Sequence, residues 1–227
     1  MRKVLIALLA LLPLLAVLVA FASNAGFGGA NIPYGLSIQY VSSSPTFVLP
    51  VDNQGYSTVS VAVSVNGQAI NVTLPPYSYK LLQVQLAKGR NTITVGSENM
   101  VVVYNYSQNA VDPTAYINGS ANVITVNARP GEALTFFVSA NLPSQYDYLS
   151  PLQPVTDMET GPQYSAFFQL ISTNEVQYGV VVPQNIAQGL YTVYFPIQVW
   201  GVVKVNSTVY YEPVGFTWAL AVVNVSY

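Results

Sequence analysis

Cysteine and histidine are both absent from the 227 residues, and only 7% of the chain is charged. Each lack excludes a class of function. Without cysteine an exported chain has no disulfides, so its stability must come from packing and assembly. Without histidine as well, Ser-His-Asp and Cys-His catalytic arrangements cannot be built, nor can zinc sites of imidazole or thiolate. An ordinary soluble chain carries roughly 25% charge; here seven basic side chains stand against nine acidic ones. Nucleic acid, which needs clustered Lys and Arg, is therefore not an expected partner. Solvation falls to Asn, Gln, Ser, Thr and Tyr, or to something attached.

Long apolar runs are missing too, with one exception at the start. Arg2 and Lys3 precede an apolar run over residues 4–21 that ends among small residues. That is the layout of a secretory signal peptide, expected as a helix over residues 1–22. Two cleavage sites satisfy the small-x-small rule: Ala20-Phe21-Ala22 before Ser23, and Ser23-Asn24-Ala25 before Gly26. An uncleaved anchor is the competing reading, because the run nearly reaches bilayer-spanning length; Pro13 and the small residues favour removal. No site for a pilin-type cut lies between Lys3 and the apolar run, which excludes ordinary type IV pilins and archaellins. The remainder is expected outside the cell, with membrane contact only through this segment. Loss of Arg2 and Lys3 leaves five basic and nine acidic groups, a formal charge of −4.

What the chain does have is alternation, the period-2 signature of half-buried strands. Leu36, Ile38 and Tyr40 alternate with Ser37 and Gln39; Val59, Val61, Val63 and Val65 alternate with Ser60, Ala62 and Ser64. Asn66-Gly67 then supplies the two positive-φ positions of a type I′ hairpin turn. Ile70, Val72 and Leu74 are expected to face inward on the returning strand, with Asn71 outward. Further strands are expected around Leu82–Leu86, 92–95 and 100–106, then at 122–127, around Leu134–Val138, and at 164–171, 176–182, 191–200, 202–211 and 216–225. Tyr191, Val193, Phe195, Ile197 and Val199 share one face, and Pro196 marks that strand as an edge or bulged strand. In the last strand Phe216, Trp218, Leu220 and Val222 lie on one face and Ala219, Ala221, Val223 and Val225 on the other. A strand apolar on both faces is central or covered.

The expected fold is all-β, an immunoglobulin-like β-sandwich body of one or two sandwich domains. Residues 23–45 read as a tail and candidate donor strand, 46–112 as a first sandwich region and 113–227 as a second. Asp112-Pro113 marks the boundary. Residues 141–163 read as a long surface excursion, and no internal repeat is evident. The stretch Gly189-Leu190-Tyr191-Thr192-Val193 after Pro183 resembles a feature of many bacterial and archaeal immunoglobulin-like or fibronectin-like surface modules.

Candidate chemistry is sparse. Asp157 and Glu159, with Asp147 nearby, could meet as an acid pair or hold calcium, but a solvated acidic loop is the simpler reading. Lys80, Lys88 and Lys204 are candidates for amide cross-links to Asn, with no spacing that selects a pair. The tyrosines (17 in all) suit sugar contacts or subunit interfaces. No catalytic, cofactor or metal residue is assigned, and the chain is not read as an enzyme. Five sequons follow the signal segment, at Asn71, Asn105, Asn118, Asn206 and Asn224. N-linked glycans there would supply the hydration that charge does not.

Residues 34–41 follow a glycine-rich start and precede the linker Ser42-Ser43-Ser44-Pro45. A terminal strand so tethered can add to a neighbouring copy's sheet, and head-to-tail contacts of that kind do not close. The signal segment, glycine-rich start, strand-only body, sequons, missing cysteine and low charge together resemble the subunits of archaeal threads. Those are glycosylated surface filaments of thermoacidophilic crenarchaea linked by donor-strand complementation. The resemblance implies a β-sandwich body, self-association through Leu36, Ile38 and Tyr40, surface N-glycans and a role in adhesion or biofilm. The alternative is a non-polymerising surface module for binding or adhesion, or an accessory of a surface layer.

Overall fold

The computed structural model describes residues 30–158 and 166–227. The signal segment, both cleavage sites, residues 23–29, Glu159 and Tyr164 lie outside the described residues. Alternating apolar residues build two immunoglobulin-like sandwiches in tandem. In the first, β1 (Ala30–Asn31), β3 (Thr46–Asn53) and β6 (Ser78–Gln85) form a three-stranded sheet. Its partner is five-stranded, in the order β2 (Ser37–Ser42), β8 (Glu98–Tyr106), β7 (Gly89–Val95), β4 (Val59–Val65) and β5 (Gln68–Leu74).

In the second sandwich one sheet runs β10 (Ser120–Ala121), β9 (Ala115–Ile117), β12 (Ala133–Ala140), β16 (Glu175–Val181) and β15 (Ala166–Ser172). The other runs β11 (Val123–Ala128), β18 (Thr208–Val225), β17 (Gly189–Val205) and β13 (Tyr148–Pro151), with β14 (Val155–Thr156) also on β17.

The two share most of their wiring, differing in that β5 pairs with β4 whereas β15 pairs with β16 in the other sheet. An opening strand pairs antiparallel with the next long strand, β1 on β3 and β9 on β12. The chain then crosses to the other sheet and runs parallel to the last strand of its own sandwich, β2 on β8 and β11 on β18. The repeat is one of topology, carried by different side chains, which is why no repeat shows in the sequence.

Turn chemistry sets the local register. Asn66 and Gly67 adopt φ of 52° and 85°, the type I′ geometry that keeps β4 and β5 twisted together. Asn206 and Ser207, at 47° and 70°, turn β17 into β18.

The last hairpin joins the two cores. Tyr191, Val193, Phe195, Ile197 and Val199 of β17, with Ala219, Ala221, Val223 and Val225 of β18, face the second core. Tyr194, Phe216, Leu220 and Val222 face the first, and Trp218 packs against it. The period-2 rule thus sends alternate residues of one strand into two cores. A strand apolar on both faces is central here in both senses, paired on each edge and covered on each side.

Three expectations need correction. Residues 191–200 and 202–205 form one strand with no break at Gly201, and the expected strand over 202–211 is instead split by the turn at Asn206 and Ser207. Gly201 sits inside β17, where a Cβ would lie 2.5 Å from the Asp147 carboxylate and 2.8 Å from Val214, so close packing selects glycine. Of the two readings of Pro196, β17 is not an edge strand, being paired on both sides, but it is bulged, its register against β18 shifting between Val199 and Trp200. Pro196 falls between Tyr194, which pairs with β14, and Ile197, which pairs with β13, at an interruption of the neighbouring strand. Residues 141–163 are not purely a surface excursion, since β13 and β14 complete the sheet and bury Leu149 and Met158 fully.

Two buried tyrosines carry a measurable consequence. Tyr178 and Tyr194 are buried, and neither hydroxyl has a hydrogen-bond partner among the described residues. A buried unpaired hydroxyl costs about 1–3 kcal/mol. Tyr178→Phe and Tyr194→Phe are therefore expected to raise the thermal midpoint or leave it unchanged, which a pair of melting curves checks.

Candidate functional site

Strand β2 is the segment that the sequence singled out, and its chain places it within the first sandwich. Ser37 through Ser42 run parallel to Val101 through Tyr106, on the outer edge of the sheet. Ile38 is fully buried, Tyr40 is buried, and Leu36 is half-buried against the same core. The three side chains therefore fill a groove in their own molecule. The Tyr40 hydroxyl donates to the Thr46 carbonyl at 2.7 Å, bridging β2 to β3 where the chain crosses between sheets.

That crossing leaves an opening between β2 and β3, and the second sandwich closes it. Phe216 reaches Tyr40 edge-on at 5.7 Å and Phe47 at 6.1 Å, while Tyr40 meets Phe47 at 5.3 Å. Trp218 stacks on Tyr194 beside them at 6.2 Å. Beyond the aromatics lies a cavity of about 290 Å³ bordered by Ser44, Thr46, Asp112, Asn122 and Trp218. Ser42 donates to the Asp112 carboxylate at 3.0 Å, tying the β2 crossover to the segment between the sandwiches. Burial holds the Asp112 carboxyl above its ordinary range, opposed by the bonds from Ser42 and the Ser43 amide.

All five sequon asparagines are exposed. Asn118 and Asn206 sit in turns at φ of 46° and 47°. The Asn118 side-chain oxygen accepts from the Phe137 amide at 2.8 Å, Asn105 donates to Gln39 at 3.3 Å, and Asn224 donates to Asn127 at 3.1 Å. Asn71 faces out of edge strand β5 as expected. Its neighbour Ile70 does not face in: it is 40% exposed, near the hairpin end of that strand.

The acidic residues are arranged differently from the expected loop. Asp147 packs at Gly201 and Asp157 at Thr192, nine residues apart on β17, so roughly 30 Å separates them. Asp147 therefore does not join Asp157, and Glu159, its expected partner, lies outside the described residues. Asp157 is half-buried and not free in a loop: its Oδ1 accepts from the Thr192 amide at 2.8 Å and its Oδ2 is inaccessible to solvent. Its neighbour is Asp52 of β3, which no spacing or motif connects with it. Lys80, Lys88 and Lys204 are all exposed. An amide cross-link needs a neutral, desolvated lysine, so these three do not fit that chemistry.

Apolar surface is concentrated in two places. Edge strand β15 exposes Phe167, Phe168, Leu170 and Ile171 at 41–55%. The hairpin of β17 and β18 continues past its neighbours as a two-stranded arm over residues 201–212, exposing Val205, Val209, Tyr210 and Tyr211 at 51–60%.

No protein-family model matches this chain, and no curated protein does. Among solved structures it is similar to a nucleoside hydrolase-related hypothetical protein from Saccharophagus degradans, at 22% identity over 54% of this chain and a TM-score of 0.32. This chain spans about a quarter of that protein's length, 27%. It is also similar to domains 4 and 5 of the S-layer protein SbsC (14% identity, 64% of this chain and 69% of that one, TM-score 0.28). A third likeness is to the titin immunoglobulin tandem A164-A165 (10% identity, 88% and 97%, TM-score 0.28). At these scores the likenesses carry no argument, and the assignment of an immunoglobulin-like tandem rests on strand order and register.

Proposed function

We propose that this protein is an exported, non-enzymatic surface module that works through its β-structured surfaces. The observation that carries this reading is where apolar side chains remain uncovered. The two densest groups lie on edge strand β15 and on the protruding arm, positions where another chain can pair or pack. The absence of histidine and cysteine and the five exposed sequons support the same reading.

A second reading, a filament subunit linked by donor-strand exchange, is favoured by β2. That strand is hydrogen-bonded on one side only, to β8, and is joined to the body by Ser43, Ser44 and Pro45. Exchange would seat the Ile38 and Tyr40 of one copy in the groove of the next, with the same contacts and no new chemistry.

The cysteine-free background makes the two readings separable. Gln39 and Val103 are direct partners across β2 and β8, so Gln39→Cys with Val103→Cys places two thiols at bonding range. On a non-reducing gel of the oxidised exported protein, a module gives one band at monomer mass, whereas exchanged strands give a ladder. A ladder that vanishes on reduction would overturn the module reading.

A further inference from the structure

The seam between the sandwiches contains a pair of acids that neither β2 nor the exposed strips use. Asp52, at the end of β3, is 3% exposed, and its Oδ1 accepts from the Thr192 hydroxyl at 3.4 Å. The backbone amide of the same Thr192 donates to Oδ1 of Asp157 at 2.8 Å. One residue of β17 thus holds a carboxyl from each sandwich. The other oxygen of each acid, Oδ2 in both cases, is buried and has no donor among the described residues. Gln54 fastens the same place, donating to the Asp157 carbonyl at 3.4 Å.

Two carboxylates cannot sit together in a dry seam with both charges and no donor between their free oxygens. A single proton resolves this: one carboxyl is neutral and donates to the other. We propose that Asp52 and Asp157 share one proton across the seam, making the junction an acid-locked clasp that loosens when the proton is lost.

The surroundings assign the proton to Asp52. Burial first, and then the Asp157 carboxylate, push the Asp52 carboxyl well above its ordinary range, opposed by a bond from the Asn31 side chain. Burial also raises Asp157, but the bonds from Asp52, the Thr192 amide and Gln54 oppose this. Glu98, at the start of β8, adds negative charge toward both; it is itself raised by burial and accepts from the Ile32 amide at 2.9 Å. Tyr191 of β17 feels Asp157, and burial foremost pushes its phenol up to about 12, so it stays neutral. Tyr79 of β6 is the register partner of Asp52. The charges acting on Asp52 are therefore both negative, and each favours the protonated form.

The direction of the pH effect follows. A carboxyl raised on folding binds its proton more tightly in the native state. Its contribution is complete below the ordinary carboxylate range and is lost as pH rises through the raised value.

Thermal unfolding of the mature protein at about pH 4 and about pH 8 tests the clasp in wild type, Asp52→Asn and Asp157→Asn. An Asn at 52 keeps the donor of the neutral acid without its titration; an Asn at 157 donates to Asp52 instead. Wild type is expected to lose about 2–4 °C or more between the two pH values relative to either variant, at the usual scale for a chain of this size. Parallel curves for wild type and both variants would overturn the proposal. So would a wild-type midpoint at the higher pH that rises with calcium and falls with EDTA, since the acids would then hold a cation. If one variant fails to fold, the other decides. Trp218 gives a local readout in a Trp200→Phe background. The shift of its emission between the two pH values should be smaller in Asp52→Asn than in wild type, the remainder coming from Asp112 on the same cavity.

Discussion

Ile38→Asp is expected to stop the first sandwich from closing, whereas Gln39→Asp, one residue along, should leave stability within about 0.5 kcal/mol of wild type. Ile38 is fully buried and Gln39 is exposed, on opposite faces of β2. Replacing Ile38 by aspartate removes a full apolar side chain, about 2–3 kcal/mol, and requires a carboxyl to enter a dry core without a partner. Together these exceed about 5 kcal/mol, against a total stability of about 5–15 kcal/mol for a typical domain. The damage should spread. Phe216, Leu220 and Val222 rest on the first core through the seam, so its loss uncovers one face of β18. The expected result is a protein with β-structure surviving in residues 113–227 and protease cleavage concentrated in 30–112. Intact resistance in Ile38→Asp would mean that β2 does not occupy the groove.

Much of this arrangement is legible in the sequence, and the reason is periodicity. Alternation along 191–199 and 216–225 separates two sets of apolar residues, and the two sets enter two different cores. Asn66-Gly67 announces its turn because few residues tolerate both φ values. The misses have a common cause as well. Gly201 has the composition of a turn, yet it is a strand residue because Asp147 and Val214 press against it from elsewhere in the chain. Asp157 has the composition of a solvated loop, yet its Oδ2 is shielded from solvent where Thr192 and Asp52 meet it at the seam. Local pattern reveals which way a side chain points, but not what is waiting there.

The same holds for charge. Of the nine acids in the chain, Asp52, Glu98, Asp112 and Asp157 all have carboxyls raised foremost by burial. A chain with so few charges places nearly half of its acids where the neutral form is favoured. Each raised carboxyl contributes stability at low pH and gives it up as pH climbs. The fold is thus biased toward acid, and the Asp52–Asp157 pair carries that bias at the junction of its two halves.

The strongest steric constraint is at Gly215, where the segment between the sandwiches touches β18. Val111 pairs with Gly215 in a parallel bridge, and the Val111 amide donates to the Val214 carbonyl at 2.8 Å. A Cβ at Gly215 would lie 1.6 Å from the Val111 carbonyl oxygen and 2.6 Å from its carbon. Backbone cannot rotate away as a side chain can, so Gly215→Ala must break the bridge and displace the segment that carries Asp112. The expected cost is about 3–4 kcal/mol, or a fall of roughly 10 °C in the midpoint of melting. Gly179→Ala provides the control. A Cβ there would lie 2.1 Å from the Phe167 ring, which looks equally severe. Phe167 is 55% exposed on edge strand β15, however, so its ring can swing into solvent. The cost at Gly179 should stay under about 1 kcal/mol. Equal losses for the two variants would show that the bridge at Val111 does not hold the sandwiches in place. A large loss at Gly215 alone would locate the rigidity of the tandem in that one backbone contact.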